Sequence, residues 1–228
     1  LTELATLTEY AGAIKPKKVL WIYYEGNDLI GKGNNLISDL QREKMKPLLM
    51  RYMEEGFSQN LINRQKEINS RLEKFIATAQ VQSWKNISAQ AQQYKTRWMK
   101  LYAIRSVIGF DDYVYVGVYV DVDVDYPLFA KILTKAKAGV ESRGSKLYFV
   151  YLPQYKRYNK VVSHDKFRKK SEVIDLVKGL DIPVIDTHQE IFANHSDPLS
   201  LFPLRLVGHY TADGYSEVAK AIVENIRD

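Results

Sequence analysis

Lys18-Val19-Leu20-Trp21-Ile22-Tyr23-Tyr24-Glu25-Gly26-Asn27-Asp28 is the stretch on which the fold turns. Val19 to Tyr24 is β-branched and aromatic, with no Pro or Gly inside, so it reads as a buried strand. Gly26-Asn27-Asp28 supplies a turn at its carboxyl end. In open parallel sheets, ligands bind outside the carboxyl ends of strands. An amide at that place can donate to a reacting oxygen. Taken alone, the triplet is a turn and nothing more; the rest of the chain decides.

Upstream, Leu4, Leu7, Tyr10, Ala11 and Ile14 recur at helical spacing, and Gly12 with Pro16 ends the helix. A helix running straight into a buried strand is half of an α/β unit. Downstream, Leu29 to Asn35 is loop, and a long helical insert follows over about 36–105. Met45, Leu48, Leu49, Tyr52 and Met53 open its amphipathic pattern, with Pro47 near a helix start and Gly56 as a breaker. Tyr113 to Asp125 alternates valine with tyrosine and aspartate, the pattern of a half-buried strand. Then come a helix over Phe129 to Val140, a buried strand over Lys146 to Leu152 stopped by Pro153, and a basic aromatic loop from Gln154 to Lys170. A helix over about Ser171 to Leu180, a short strand over Ile182 to Asp186, a long loop from Thr187 to Gly208, and a helix over Ala212 to Ile226 complete the chain. The alternation predicts one α/β domain over 1–228, a doubly wound, mostly parallel sheet of flavodoxin-like type with a helical insertion.

The 228 residues include no cysteine, which excludes disulfides, thiolate nucleophiles and cysteine-ligated zinc. No run of 18 apolar residues is present, so no membrane-spanning helix is expected. The net charge of +6 sits in one place. Residues 36–105 hold 13 Lys and Arg against 6 Asp and Glu, while the remaining 20 basic and 21 acidic residues nearly cancel. With Trp84, Tyr94 and Trp98 among these charges, the insert suits an anionic polymer or a membrane surface. The plainer alternative is a solvated face over a tryptophan core. The insert follows directly on the Asn27 turn, where a lid or specificity wall belongs. Lys156, Arg157 and Tyr158 follow another strand end and face the same cleft in this scheme.

Asp121, Asp123 and Asp125 hint at a calcium loop, but Tyr126 and Ile132 stand where such a loop needs glycine and glutamate. His164, His188 and His195 lack metal-ligand spacing. No glycine-rich phosphate loop and no nucleic-acid-binding module occurs. No metal and no cofactor is expected. His209, entering the last helix from a long loop, has the right chemistry for a proton shuttle near neutral pH.

Two segments together carry a resemblance. The strand ending in Gly26-Asn27-Asp28, and His209-Tyr210-Thr211-Ala212-Asp213-Gly214-Tyr215 opening the last helix, resemble the third and fifth conserved blocks of the SGNH (GDSL-type) hydrolases. Phe149 to Pro153 and the strand ending Ile185-Asp186 fall where that fold has its later core strands. The resemblance implies a serine esterase or acyl hydrolase. It makes His209 the general base and Asn27 an oxyanion donor, with Gly26 supporting the turn. The implied substrate is a carboxylic ester, such as an acyl group on a carbohydrate.

The chain departs from the family in three places. No Gly-Asp-Ser occurs, and Leu1 is not a start residue, so the nucleophile strand is expected upstream, leaving this fragment inactive on its own. Any export signal or anchor also belongs upstream, so the compartment and the oligomeric state stay open. Leu206 stands where the family has the aspartate that orients its histidine, which leaves Asp197 or Asp186 as the acid. Glu25 replaces the first glycine of the third block. The alternative from a different class is a non-catalytic module of the same fold that binds a polyanion or polysaccharide.

Overall fold

The computed structural model describes residues 1–29, 37–78, 124–159, 169–205 and 209–227. The chain divides into two compact units, Leu1–Ser58 with Asp121–Asp228, and Gln59–Val120. The larger unit begins with helix α1 (Thr2–Ile14), ended by Lys15 in the left-handed region at φ 48° and by Pro16. Strand β1 (Lys18–Tyr24) follows, then the short helices α2 (Asp39–Lys44) and α3 (Pro47–Met50). The Ser38 hydroxyl accepts from the Gln41 amide while Gln41 Oε1 accepts from the Ser38 amide, a reciprocal cap that starts α2.

In the smaller unit, a 3-10 turn (Leu61–Arg64) leads into helix α4 over 65–78. Arg64 and Arg71 both pair with Glu67 on its exposed surface. These pairs have the spacing that supports a solvated helix face.

The larger unit resumes with α5 (Tyr126–Glu141), β2 (Lys146–Leu152), α6 (Lys169–Gly179), β3 (Val184–Asp186) and α7 (Ala212–Ile226). The described strands form one parallel sheet in the order β1-β2-β3. Lys18 pairs with Lys146 and Tyr24 with Leu152, so the carboxyl ends of β1 and β2 are level. β2 is buried from Leu147 onward, as expected of a central parallel strand covered on both faces.

Alternate residues of β2 feed two cores. Leu147, Phe149 and Tyr151 pack with Trp21, Tyr23, Phe129, Leu133 and Val177, under α1, α5 and α6. Tyr148, Val150 and Leu152 pack with Ile185, Phe192, Phe202, Tyr210 and Val218, under α7. The fold is therefore mixed α/β with helices on both sides of a parallel sheet. On the second face β1 is uncovered: Leu20 is 36% and Ile22 42% exposed. They border an open groove of about 530 Å³ that Leu7, Tyr10 and Ile14 of α1 also line.

Three expectations need correction or limits. Asp125 is the N-cap of α5 and not the last residue of a strand: its carboxylate accepts from the Leu128 amide at 3.0 Å and pairs with Lys44 at 2.5 Å. The rest of the alternating segment, 113–123, lies outside the described residues, as do Trp84, Tyr94, Trp98, His164 and Leu206. The segment after β3 is not a plain loop. It folds into a π turn (His188–Phe192) and two 3-10 turns (Pro198–Leu201 and Pro203–Arg205), because Phe192, Phe202, Tyr158 and Tyr210 cluster and draw the backbone inward. Gly56, with φ 69°, follows the last turn of the Arg51–Met53 segment, as a breaker should. No described helix is long and apolar enough to cross a membrane.

Candidate active site

The chain leaves β1 through a turn held at both ends. The Tyr24 amide donates to Asp28 Oδ2 at 2.8 Å, a bond from backbone to side chain that closes the turn. The amides of Asp39 and Leu40 donate to the carbonyls of Asn27 and Asp28 at 2.9 and 3.1 Å. The start of α2 is thus stitched to the turn. Asn27 Nδ2 donates to Asp39 Oδ2 at 2.5 Å, while Asn27 Oδ1 is buried without a hydrogen-bond partner. The bond to a carboxylate fixes which end of the amide is nitrogen. It also uses one N–H of two.

Gly26 is glycine for want of space. A β-carbon there would overlap the Tyr24 ring, which folds back over the turn. Glu25 is 2% exposed and accepts from Gln154 N and Arg157 Nε, both at 3.1 Å, with a further short bond from the Arg157 terminal nitrogen. A charge is tolerated in that position because the guanidinium meets it in a two-point fork. The pair ties the turn after β1 to the 3-10 turn after β2 (Tyr155–Arg157).

Asp28 is pushed up to about 7, chiefly by burial and further by the charges of Glu3, Asp39 and Glu43, against the Tyr24 amide bond that lowers it. Tyr24 is pushed up to about 12 by burial and by Glu25, Tyr215 and Asp28, so its phenol stays neutral at physiological pH.

His209 arrives at the same end of the sheet. Its neighbour Tyr210 is buried and donates its hydroxyl to the Pro153 carbonyl at 2.6 Å, just past β2. Thr211 N donates to the Leu201 carbonyl at 2.9 Å, and the Thr211 hydroxyl caps α7 by accepting from Gly214 N at 3.1 Å. Gly214 allows close approach: a β-carbon there would lie 2.6 Å from the Leu201 carbonyl. These contacts leave His209 exposed, with its ring 4.5 Å from the Tyr24 ring at 49°. Tyr24 ends β1 and Asn27 stands three residues further on, so His209 and the Asn27 turn occupy one carboxyl edge.

The two candidate acids do not reach His209. Asp197 accepts from Arg205 at 2.5 and 2.6 Å. Asp186 pairs with Lys170 at 2.5 Å at the end of β3. Neither contacts His209, which makes no hydrogen bond or ion pair among the described residues. The structure brings Asn27, Gly26 and His209 to one edge and leaves Asp186 and Asp197 bound to cations.

Two residues of this edge, Tyr24 and Asp39, escape a reading by motif. Tyr24 resembles any last residue of a buried strand, and nothing in its type announces a partner in the last block. Asp39 is visible as the residue after Ser38 in a capping box, which marks a carboxylate at a helix start. His188, with Nδ1 2.8 Å from the Tyr158 hydroxyl, is pulled down to about 4 by burial and by Arg157 and Lys170. Among the described residues, no cluster of His, Asp or Glu has the grouping to hold a metal ion. No family model, no curated protein and no solved structure matches this chain.

Proposed function

We propose that this chain belongs to an SGNH-type hydrolase, a doubly wound, mostly parallel α/β fold with a helical insertion. It acts on a carboxylic ester, such as an acyl group on a carbohydrate. The observation that carries the assignment is the meeting of His209 with Tyr24, which sets the general base beside the turn that holds Asn27.

The path of α1 supports where the nucleophile enters. Leu1 borders the same cavity as Asp28 and Leu29, beyond the carboxyl end of β1, and Ile14 returns the chain to Lys18 at the amino end. A strand that precedes α1 and runs parallel to β1 ends beside the Asn27 turn, since such crossovers are short and right-handed. The open groove beside Leu20 and Ile22 has room for it. A serine at the end of that strand is the proposed nucleophile.

In the reaction, the serine hydroxyl yields its proton to the neutral imidazole of His209 as its oxygen bonds to the ester carbon. The carbonyl oxygen takes up the negative charge, and the second N–H of Asn27 donates to it. His209 returns the proton to the departing alcohol as the ester C–O bond breaks. Water then repeats the sequence on the acyl-serine and releases the acid. Every step uses groups of the protein and water.

The test is turnover of p-nitrophenyl acetate and of an O-acetylated polysaccharide by the full-length protein. The expected result is hydrolysis that Asn27→Ala lowers by ~10²–10³ in kcat and His209→Ala reduces to background. Absence of turnover by the unaltered protein, with salt-sensitive binding to an acidic polysaccharide, supports the binding module in its place.

A further inference from the structure

We infer that Tyr24 is the positioning residue for His209: its ring, seated over Gly26, holds the imidazole in the orientation that a carboxylate provides in a conventional triad. The inference rests on the hydrolase assignment and gives the Tyr24 ring a role that the assignment leaves open.

Three observations converge on it. First, His209 has no carboxylate partner among the described residues, and the two acids considered for it are each held by a cation, Asp186 by Lys170 and Asp197 by Arg205. Second, the ring contact of His209 is with Tyr24, at 4.5 Å between centroids and 49° between planes. Third, the Tyr24 ring is placed by its own surroundings. It lies across Gly26, where a β-carbon would displace it, and its backbone is fixed by the bond from its amide to Asp28. The glycine of the turn and the histidine of the last block thus meet through one aromatic ring.

The chemistry suits a base. A histidine without a hydrogen-bonded carboxylate needs another restraint on its ring, because a misaimed imidazole loses proton-transfer geometry. An aromatic face supplies that restraint without a charge. It also attracts the imidazolium that forms when His209 takes the serine proton, through the negative face of the ring. The phenol is neutral at working pH, so the contact is that of a ring and not of an anion.

The experiment uses full-length protein labelled with isotope-enriched histidine, the His209 ring resonances being assigned by their loss in His209→Gln. In the unaltered protein those resonances should be displaced upfield by the Tyr24 ring current. Tyr24→Leu should collapse that displacement and lower kcat on p-nitrophenyl acetate at least tenfold while KM changes less than twofold. Tyr24→Phe, which keeps the ring, should restore the displacement and bring kcat at least fivefold above the leucine variant. Gly26→Ala should act as Tyr24→Leu does, by moving the ring. The inference is overturned if Tyr24→Leu leaves the His209 resonances in place, or if Tyr24→Phe behaves as Tyr24→Leu. A displaced resonance in an unaltered protein without turnover overturns the hydrolase assignment and reduces the contact to a structural one.

Discussion

Arg157 closes a two-point fork on Glu25 across 132 residues of sequence, and both side chains are largely withdrawn from solvent. Glu25 follows β1 directly and Arg157 follows β2, so the pair clamps two neighbouring strand ends. The Gln154 amide adds a third bond to the same carboxylate. The turn that carries Gly26 and Asn27 is therefore anchored to the end of β2 by a charge pair.

Removing one partner of a buried pair leaves the other charge without its counterion, at a cost of about 3–5 kcal/mol. Glu25→Gln and Arg157→Met should each lower the unfolding free energy measured in urea by that order. The double variant Glu25→Gln/Arg157→Met should be less destabilised than the sum of the two. Additive losses in a double-mutant cycle would show that the two side chains do not act as a pair.

Asp28 makes stability depend on pH in a direction opposite to most carboxylates. Its folded value of about 7 lies above the ordinary 3.8, so the native state holds this proton more tightly than the unfolded chain does. The contribution is fully present below pH ~4 and is lost as pH rises through about 7, amounting to up to ~4 kcal/mol at 1.36 kcal/mol per unit. Urea denaturation of the unaltered protein and of Asp28→Asn between pH 4 and 8 reads this directly. The asparagine variant should gain relative stability as pH rises; a pH-independent difference between the two would contradict the assignment.

Asp39 fixes the Asn27 amide. Asp39→Ala should free it, lowering kcat about tenfold with little change in KM, on the general cost of losing orientation in a catalytic group. Asn27→Asp should be worse, since it replaces the donor with a carboxylate 2.5 Å from another. Steady-state kinetics on both variants distinguishes them, and equal kcat values would argue against an oxyanion role for the amide.

Gly214→Ala places a methyl against the Leu201 carbonyl, and backbone cannot yield as a side chain can. The expected loss is about 1–3 kcal/mol in chemical denaturation. A variant as stable as the parent would mean that the last block does not pack against the Pro198–Leu201 turn as described.

Much of the scaffold was legible in the chain. β2 and α7 have the limits expected from an uninterrupted apolar run and a 3.6-residue stripe, and β1 differs only at its first residue. The edge on which Gly26, Asn27 and His209 gather was legible from strand ends and from the block that opens the last helix. Contacts that cross the chain were not. Nothing near Glu25 in sequence points to Arg157, although a carboxylate directly after a buried strand signals that a partner must exist. Nor does any local pattern link Tyr24 to His209. The turns between His188 and Arg205 escaped because an aromatic cluster, and not periodicity, shapes them. Asp186 and Asp197 have the right chemistry for the acid by type, but the structure gives each a cationic partner and no contact with His209.

The central claim is that this edge serves a serine nucleophile, and covalent trapping reads it most directly. Full-length protein treated with a fluorophosphonate should gain one adduct, and peptide mass spectrometry should place it on a serine upstream of Leu1. The adduct should fail to form in His209→Ala. No adduct, or one formed equally without His209, would contradict the claim.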